Sequence, residues 1–566
     1  MSSRRYFGVP IRFAFKYFGS LGEVLSSRLR LEEKIQSAAL NISPQGYGSI
    51  LAFYIALTAL CSVAALSLSL WFKNFIPLLS LIPIASLPIT LLTYPSIKAS
   101  ERKRKLAMEF PFIVAYVGLM SIAGIHPYKA FERLAEQNVF EAAKREGELI
   151  VREKVVFTKE PVAALESIAK KHPLREFRNY ILGYINILRT GGNTVKYLTE
   201  YSSKVIESML SSIKRYTESA KLYGDLMIAL FVFAPLGIFS VISVLVVGQG
   251  LLFMKIYTYV LAPMTAAAFI FAVNSEQPKF IQGSSQYVKL AFKLLLFFSA
   301  LTVVLQYMCP ELHFKLHFRT HELIAGVLLC SLLIPSLLYE KHIKECSSVE
   351  SHLPAFLRNV AEARRIGLSI EKSLMDVIRQ DYGHLSRMMD QVLRTAKYSL
   401  TPLDKALESS ICSIKSWIGR AVLWIFKEAI VAGGGNSETF ELLANFTESY
   451  IEVKKKVSKE LRAYYVIGYA ASIMFLLIIL QLINLGILTQ MQIIEKTPIN
   501  TILNVSLPSK GDLRSLIDMC LNTTVMTSAI IGIIVGKISS GSIAGGFKHA
   551  IVCTIISIIG IRGVFG

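Results

Sequence analysis

The chain has 566 residues, 53% of them hydrophobic and only 18% charged, with a mean hydropathy of +0.49. Long uncharged runs on that background exclude an ordinary soluble globular protein and indicate a polytopic membrane protein. The formal net charge of +21 would suggest nucleic acid as the partner of a soluble chain. No aromatic-basic or zinc-type motif accompanies it, so it reads as basic segments retained on the inner side of a membrane, with no nucleic-acid partner expected.

Residues 1–49 interleave Arg4, Arg5, Arg12, Lys16, Arg28 and Arg30 with Tyr6, Phe7, Phe13, Phe15, Tyr17 and Phe18. Two readings fit: an amphipathic segment on the inner leaflet, or a helix packed on the rest of the cytosolic part. Ile50–Phe72 and Phe75–Tyr94 are long and apolar enough for two spans within residues 50–94, the second bent by Pro77, Pro83 and Pro88. The basic run Arg102, Lys103, Arg104 and Lys105 follows at once and pins that end to the cytosol.

Residues 95–222 are polar and helical in rhythm, and predict a cytosolic helical domain. An apolar stripe starts at Phe110-Pro111. Gly124 suits the end of a helix and Pro127 the first turn of the next. His172-Pro173 breaks again. Gly191-Gly192 ends a helix, and Asn193 can cap the one that leads from Thr194 into the membrane. Residues 223–273 predict two spans joined at Gly248-Gln249-Gly250, with Asp225 capping the first. A cytosolic linker (274–288) and two more spans (289–339) follow. A second cytosolic helical domain occupies 340–463, and three spans occupy 464–566, with an outer loop near 491–516 that carries the sequon Asn504-Val505-Ser506. The count is about nine spans, with the N-terminus inside and the C-terminus outside.

The two helical domains are copies of one pattern. Pro111 answers to Pro354, Gly124 to Gly367, Gly191-Gly192 to Gly434-Gly435 and Asn193 to Asn436, all at an offset of 243 residues. Lys129/Lys372, Thr158/Thr401 and Ala163/Ala406 fall on the same offset. The glycines, prolines and asparagines of this set are expected to be structural turns of the repeat.

Chemistry is sparse. There is no Walker A loop, since Gly536-Lys537 lacks its upstream glycine and the Ser/Thr. His313, His317 and His321 share a helix face by spacing, as metal ligands or as loop polar residues. Leu222-Tyr223-Gly224-Asp225 has only part of the G-x-G-D pattern of intramembrane aspartyl peptidases. The seven cysteines form no C-x-x-C pair, and one disulfide, Cys309 with Cys520, is conceivable at the outer face. No catalytic, cofactor-binding or metal residue is expected. Charges deep in the spans are nearly absent, which weighs against a transporter or channel with cytosolic regulatory domains, the competing reading.

At Phe110-Pro111, Ala123-Gly124 and Gly191-Gly192-Asn193, and again at Leu353-Pro354, Ile366-Gly367 and Gly434-Gly435-Asn436, the sequence resembles the type II secretion system F domain. Two such domains among many spans look like the membrane platform of archaella and type IV-like pili. The resemblance implies an all-α polytopic membrane protein with two homologous cytosolic helical bundles and no enzymatic activity. It implies a platform that works as a homodimer in the cell membrane and docks a cytosolic hexameric secretion ATPase. Its other partners would be pilin-like or archaellin filament subunits. On that reading the docking residues would be Arg102, Lys103, Arg104 and Lys105 in the first domain and Arg364 and Arg365 in the second.

Overall fold

Runs of helix-forming residues between glycine and proline punctuation become helices throughout the computed structural model, which describes residues 5–6, 9–72, 81–157, 160–237, 239, 247–277, 285–308, 319–433, 435–496 and 510–565. Among the described residues the sole sheet is the ladder of Arg5–Tyr6 (β1) with Val9–Pro10 (β2). Helices Ile11–Arg28 (α1), Leu31–Ala38 (α2) and Pro44–Phe72 (α3) follow, then the 42-residue helix Leu81–Ile122 (α4). The first helical domain continues with Pro127–Glu136 (α5), Glu141–Phe157 (α6), Pro161–Lys171 (α7) and Arg175–Arg189 (α8). It exits through Thr194–Ile228 (α9), which runs on through a π-turn at Ala229–Phe233. Val247–Ile256 (α10), Ala262–Glu276 (α11) and Ser285–Met308 (α12) connect it to the 46-residue helix Thr320–Arg365 (α13). The second domain continues with Ile370–Val377 (α14), His384–Tyr398 (α15), Leu403–Ile411 (α16) and Trp417–Gly433 (α17), and exits through Ser437–Glu460 (α18). Ala463–Lys496 (α19), Lys510–Ser540 (α20) and Phe547–Phe565 (α21) close the chain.

Nine helices among the described residues are long and apolar enough to cross a membrane, the number read from hydropathy; one of them, Ser86–Ile122, meets the run expected at Phe75–Tyr94 only over 86–94, and its apolar window is 72% buried. The helix starts of the two domains keep the repeat spacing: 370 − 127, 384 − 141 and 437 − 194 all equal 243.

Three expectations about punctuation fail. Pro111 and Pro354 are not turns, because α4 and α13 pass through them, as α4 also does through Pro88 and Pro95. Proline removes one intrahelical bond, but residues 109–121 are buried without interruption, and that packing holds the helix together. Gly248-Gln249-Gly250 is helical within α10, and Asp225 lies inside α9 as an exposed residue and not at a cap. The span expected from Phe75 is described only from Leu81 onward. Thr158, Cys309, His313, His317, Gly434 and the sequon at Asn504 lie outside the described residues, as does part of the 274–288 linker.

The chain divides into two units: Met1–Lys204 with Glu428–Gly435, and Val205–Lys427 with Asn436–Gly566. In the first, α1 packs along α3, close enough that a Cβ on Gly22 or Gly48 would collide with the facing backbone. Leu31, Ile35 and Tyr47 form a small core there, and the Tyr47 hydroxyl donates to the Leu91 carbonyl at 2.6 Å. The N-terminal segment is thus a packed element, while Phe13, Phe15 and Tyr17 of α1 stay partly exposed, the Phe13 ring meeting that of Phe53 in α3 edge-on at 6.2 Å. In the second unit α20 is the most buried span. Its Gly532 and Gly536 lie so close to the turn before α21 and to the start of that helix that a Cβ on either would strike backbone. Some of its hydroxyls reach other helices, Thr523 lying 2.6 Å from the Thr258 hydroxyl and Ser528 accepting from Ser557 of α21 at 2.7 Å. Others bond one turn back: Thr523 donates to the Met519 carbonyl at 2.7 Å and Thr524 to that of Cys520 at 2.9 Å, as Thr554 of α21 does to Ala550 at 2.7 Å. Such bonds one turn back let polar side chains sit in an apolar interior.

Candidate docking surfaces of the two helical domains

The turns that shape both domains are built alike. At the end of α4 the Ile125 N–H donates to the Met120 carbonyl at 2.9 Å around Gly124 at φ +78°. At the end of α13 the Leu368 N–H donates to the Ala363 carbonyl at 3.3 Å around Gly367 at φ +91°. Both are six-to-one closures around a left-handed residue, where glycine carries no Cβ penalty. At the end of α8 the Gly192 N–H reaches the Ile187 carbonyl at 2.9 Å, with Gly191 at φ +72°. Gly435 takes φ +66° at the corresponding corner. Asn193 caps α9, its Oδ1 accepting from the Lys196 N–H at 2.9 Å. Asn436 occupies the N-cap of α18 without a side-chain bond. Where α5 starts on Pro127, α14 lacks the proline and is capped by Ser369, which accepts from the Lys372 N–H at 3.4 Å.

The basic residues expected to dock a partner divide sharply. Arg102 is 7% exposed and is not a surface residue. Its guanidinium grips Glu146 in a fork, Nε to Oε1 at 2.7 Å and Nη2 to Oε2 at 2.5 Å. Its Nη1 donates to the Ser37 and Gln36 carbonyls at 2.8 and 3.4 Å, so it also caps the C-terminus of α2. His172 completes the group, its Nε2 3.4 Å from Glu146. The Leu174 N–H donates to His172 Nδ1 at 3.0 Å, which puts the ring proton of the neutral imidazole on Nε2, facing the carboxylate. Burial pushes the Glu146 carboxyl up, but Arg102 and His172 together outweigh it and hold it at about 2. Burial pushes His172 below its ordinary value against the pull of Glu146.

Lys103 and Arg104 are exposed, and Lys105 pairs with Glu101 at 3.3 Å and Glu141 at 3.9 Å. Arg364 is turned onto its own helix end, its Nη1 donating to the Leu368 carbonyl at 2.6 Å. Arg365 is exposed and pairs with Glu441 at 2.5 Å. Lys103, Arg104 and Arg365 therefore remain the charged surface of this set.

Apolar residues that the sequence reading passed over stand out beside them. Val155 and Val156 at the end of α6 are 70% and 63% exposed, and Tyr398 and Leu400 at the end of α15 are 77% and 91% exposed. These are matching corners of the two copies. The sequence signal was available as bulky apolar residues next to the helix breaks at Pro161 and Pro402. Among the described residues no three His, Cys, Asp or Glu side chains gather as metal ligands, and His321 is buried in α13.

Comparison with known proteins agrees with this duplicated architecture. Residues 112–242 and 356–483 each match the model of the type II secretion system (T2SS) protein F. Two stretches of the chain, together less than half of its length, are thus similar to a domain of non-enzymatic membrane components. It is similar to an uncharacterized protein of Methanocaldococcus jannaschii, 21% identical over 417 residues, which covers 68% of this chain and 69% of the relative. No solved structure matches it.

Proposed function

We propose that the chain is the membrane platform of a type IV filament, an archaellum or pilus, or of a type II secretion-like machine. In that role it anchors the filament base in the cell membrane and couples a cytosolic hexameric secretion ATPase to the insertion of pilin-like or archaellin subunits. It would act as a homodimer with both helical domains on the cytosolic side.

The observation that carries this reading is the way each copy of the protein F domain is wired to candidate spans. Each is entered by one long helix, α4 or α13, and left by another, α9 or α18 followed by α19. At about 1.5 Å per residue, 42 and 46 residues make entry helices of about 63 and 69 Å. A displacement applied to either domain is thereby carried along continuous hydrogen-bonded rods, the kind of rigid element through which mechanical coupling passes. Each domain would offer a docking surface of its own, with Lys103, Arg104 and the corner at Val155-Val156 in the first and Arg365 and the corner at Tyr398-Leu400 in the second.

The test is capture of a purified hexameric secretion ATPase by the full chain in lipid nanodiscs. Lys103→Glu with Arg104→Glu should weaken capture at low salt and less so at high salt. Unchanged capture would remove those residues from the interface, and no capture by the parent chain would overturn the coupling role.

A further inference from the structure

The second unit holds a cavity of about 840 Å³ between α13, the α18–α19 junction and the turn joining α20 to α21. That volume lies within the range of small-molecule sites. Six cationic side chains and two carboxylates line it. Two of the cations are matched: Lys454 lies 2.7 Å from Glu350, and Lys548 lies 3.2 Å from Glu340. Glu350 also accepts from the Ser416 hydroxyl at 2.7 Å, so it is fixed in place. The other four, Lys344, Lys455, Lys459 and Arg462, have no carboxylate within ion-pair distance among the described residues. The remaining wall mixes apolar and aromatic side chains, among them Tyr339, Ile343 and Tyr465, with serines and Gln277.

The cavity's position decides what would fill it. α13 is apolar up to Tyr339 and charged from Glu340 onward, and the α18–α19 rod is charged through Arg462 and apolar beyond Ala463. Both helices change from membrane-like to water-like composition at the cavity, and two spans turn back beside it. Leu333, Leu337 and Val466, on the apolar side of that boundary, are 50%, 60% and 68% exposed, a face that a bilayer would cover. A surplus of cations one turn from such a face suits an anion that carries acyl chains. A phosphate diester would sit among the lysines and the arginine, and its chains would run along Leu337 and Val466.

We propose that this cavity is a binding site for the headgroup of an anionic phospholipid at the membrane surface. The inference goes beyond the platform reading and does not depend on the ATPase. Occupancy would tie α13, α18, α19 and the α20–α21 turn together at the point where the exit rod of the second domain meets the spans.

The test uses the full chain in nanodiscs of phosphatidylcholine with and without phosphatidylglycerol, followed by native mass spectrometry of retained lipid. Phosphatidylglycerol should be retained in preference to phosphatidylcholine. Each cation near an anionic lipid is worth roughly fivefold in affinity, so the triple variant Lys455→Gln, Lys459→Gln, Arg462→Gln should lose retention by about tenfold or more. A control of equal charge loss at exposed positions away from the cavity, Lys372→Gln, Lys397→Gln, Lys405→Gln, should retain the lipid. Co-elution of both variants with the parent chain on size exclusion would show that each still folds. Equal retention of the two lipids, equal loss in both triple variants, or displacement by millimolar inorganic phosphate would overturn the proposal. The last outcome would reassign the cavity to a soluble anion.

Discussion

The two helical domains share a backbone plan and differ in what fills it. At the repeat spacing, Arg102, Glu146 and His172 of the first copy become Glu345, Met389 and Lys415 of the second. In the first copy the three form a buried ionic group. In the second the outer two form a surface pair, Glu345 to Lys415 at 2.6 Å, and Met389 joins the apolar core. The same trade recurs between α8 and α9. Gly183 makes room for the Tyr197 ring, whose hydroxyl would strike a Cβ there. The matching positions in the second copy are Phe426 and Phe440, with ring centroids 4.8 Å apart. One skeleton of helix lengths and turns thus tolerates either a polar or an apolar interior, provided that each buried group finds its partner.

The largest expected break in this comparison is Arg102→Ala. It leaves the Glu146 carboxylate buried and half-paired, which costs about 3–5 kcal/mol. Hydrogen exchange should report the loss in α2, α4 and α6, whereas Glu345→Ala should leave α13 and α17 nearly unchanged. Equal effects would mean that the buried group is not what separates the copies.

Acid provides the second test. Glu146 is held at about 2, below its unfolded value of 4.5, so its stabilisation is present above that value and lost as pH falls toward 2. The amount at stake is on the order of 3 kcal/mol. His172, lowered from 6.5, opposes folding in the same direction once pH drops below that value. The first domain should therefore loosen before the second when pH is lowered from 7 toward 2, as read by exchange corrected for intrinsic rates.

Gly183→Ala should destabilise the first domain by about 1–3 kcal/mol through overpacking against Tyr197. Gly183→Ala with Tyr197→Phe should recover part of the loss, because the clashing hydroxyl is gone. The smallest expected effect concerns the caps: Asn193→Ala should cost about 1 kcal/mol, and Asn436→Ala, whose side chain makes no cap bond, much less. Fraying of α9 and α18 by exchange separates the two.

Hydropathy made the number of candidate spans legible, and punctuation made the repeat legible, because both are local signals. Gly124, Gly191 and Gly367 take left-handed φ, a demand that glycine meets at the position itself. Arg102 was not legible in this way, because its fate is set by Glu146, 44 residues onward, and by the carbonyls of Gln36 and Ser37, 66 and 65 residues earlier. Inside the run Glu101-Arg102-Lys103-Arg104-Lys105 nothing local distinguishes the buried guanidinium from its exposed neighbours. Pro111 misled for a related reason: its local preference is to start or break a helix, and burial on all sides overrode it.

The exit rods differ in where their regularity lapses. α9 meets a π-turn at Ala229–Phe233, well inside its apolar half. The second rod slackens earlier, at Leu461 and Arg462, where the Tyr464 and Tyr465 N–H groups reach back only three residues, at 3.2 and 3.1 Å. An identical push on the two domains would then be felt at unequal depths: one shaft stays stiff until it is among the acyl chains, and the other has its elbow at the waterline.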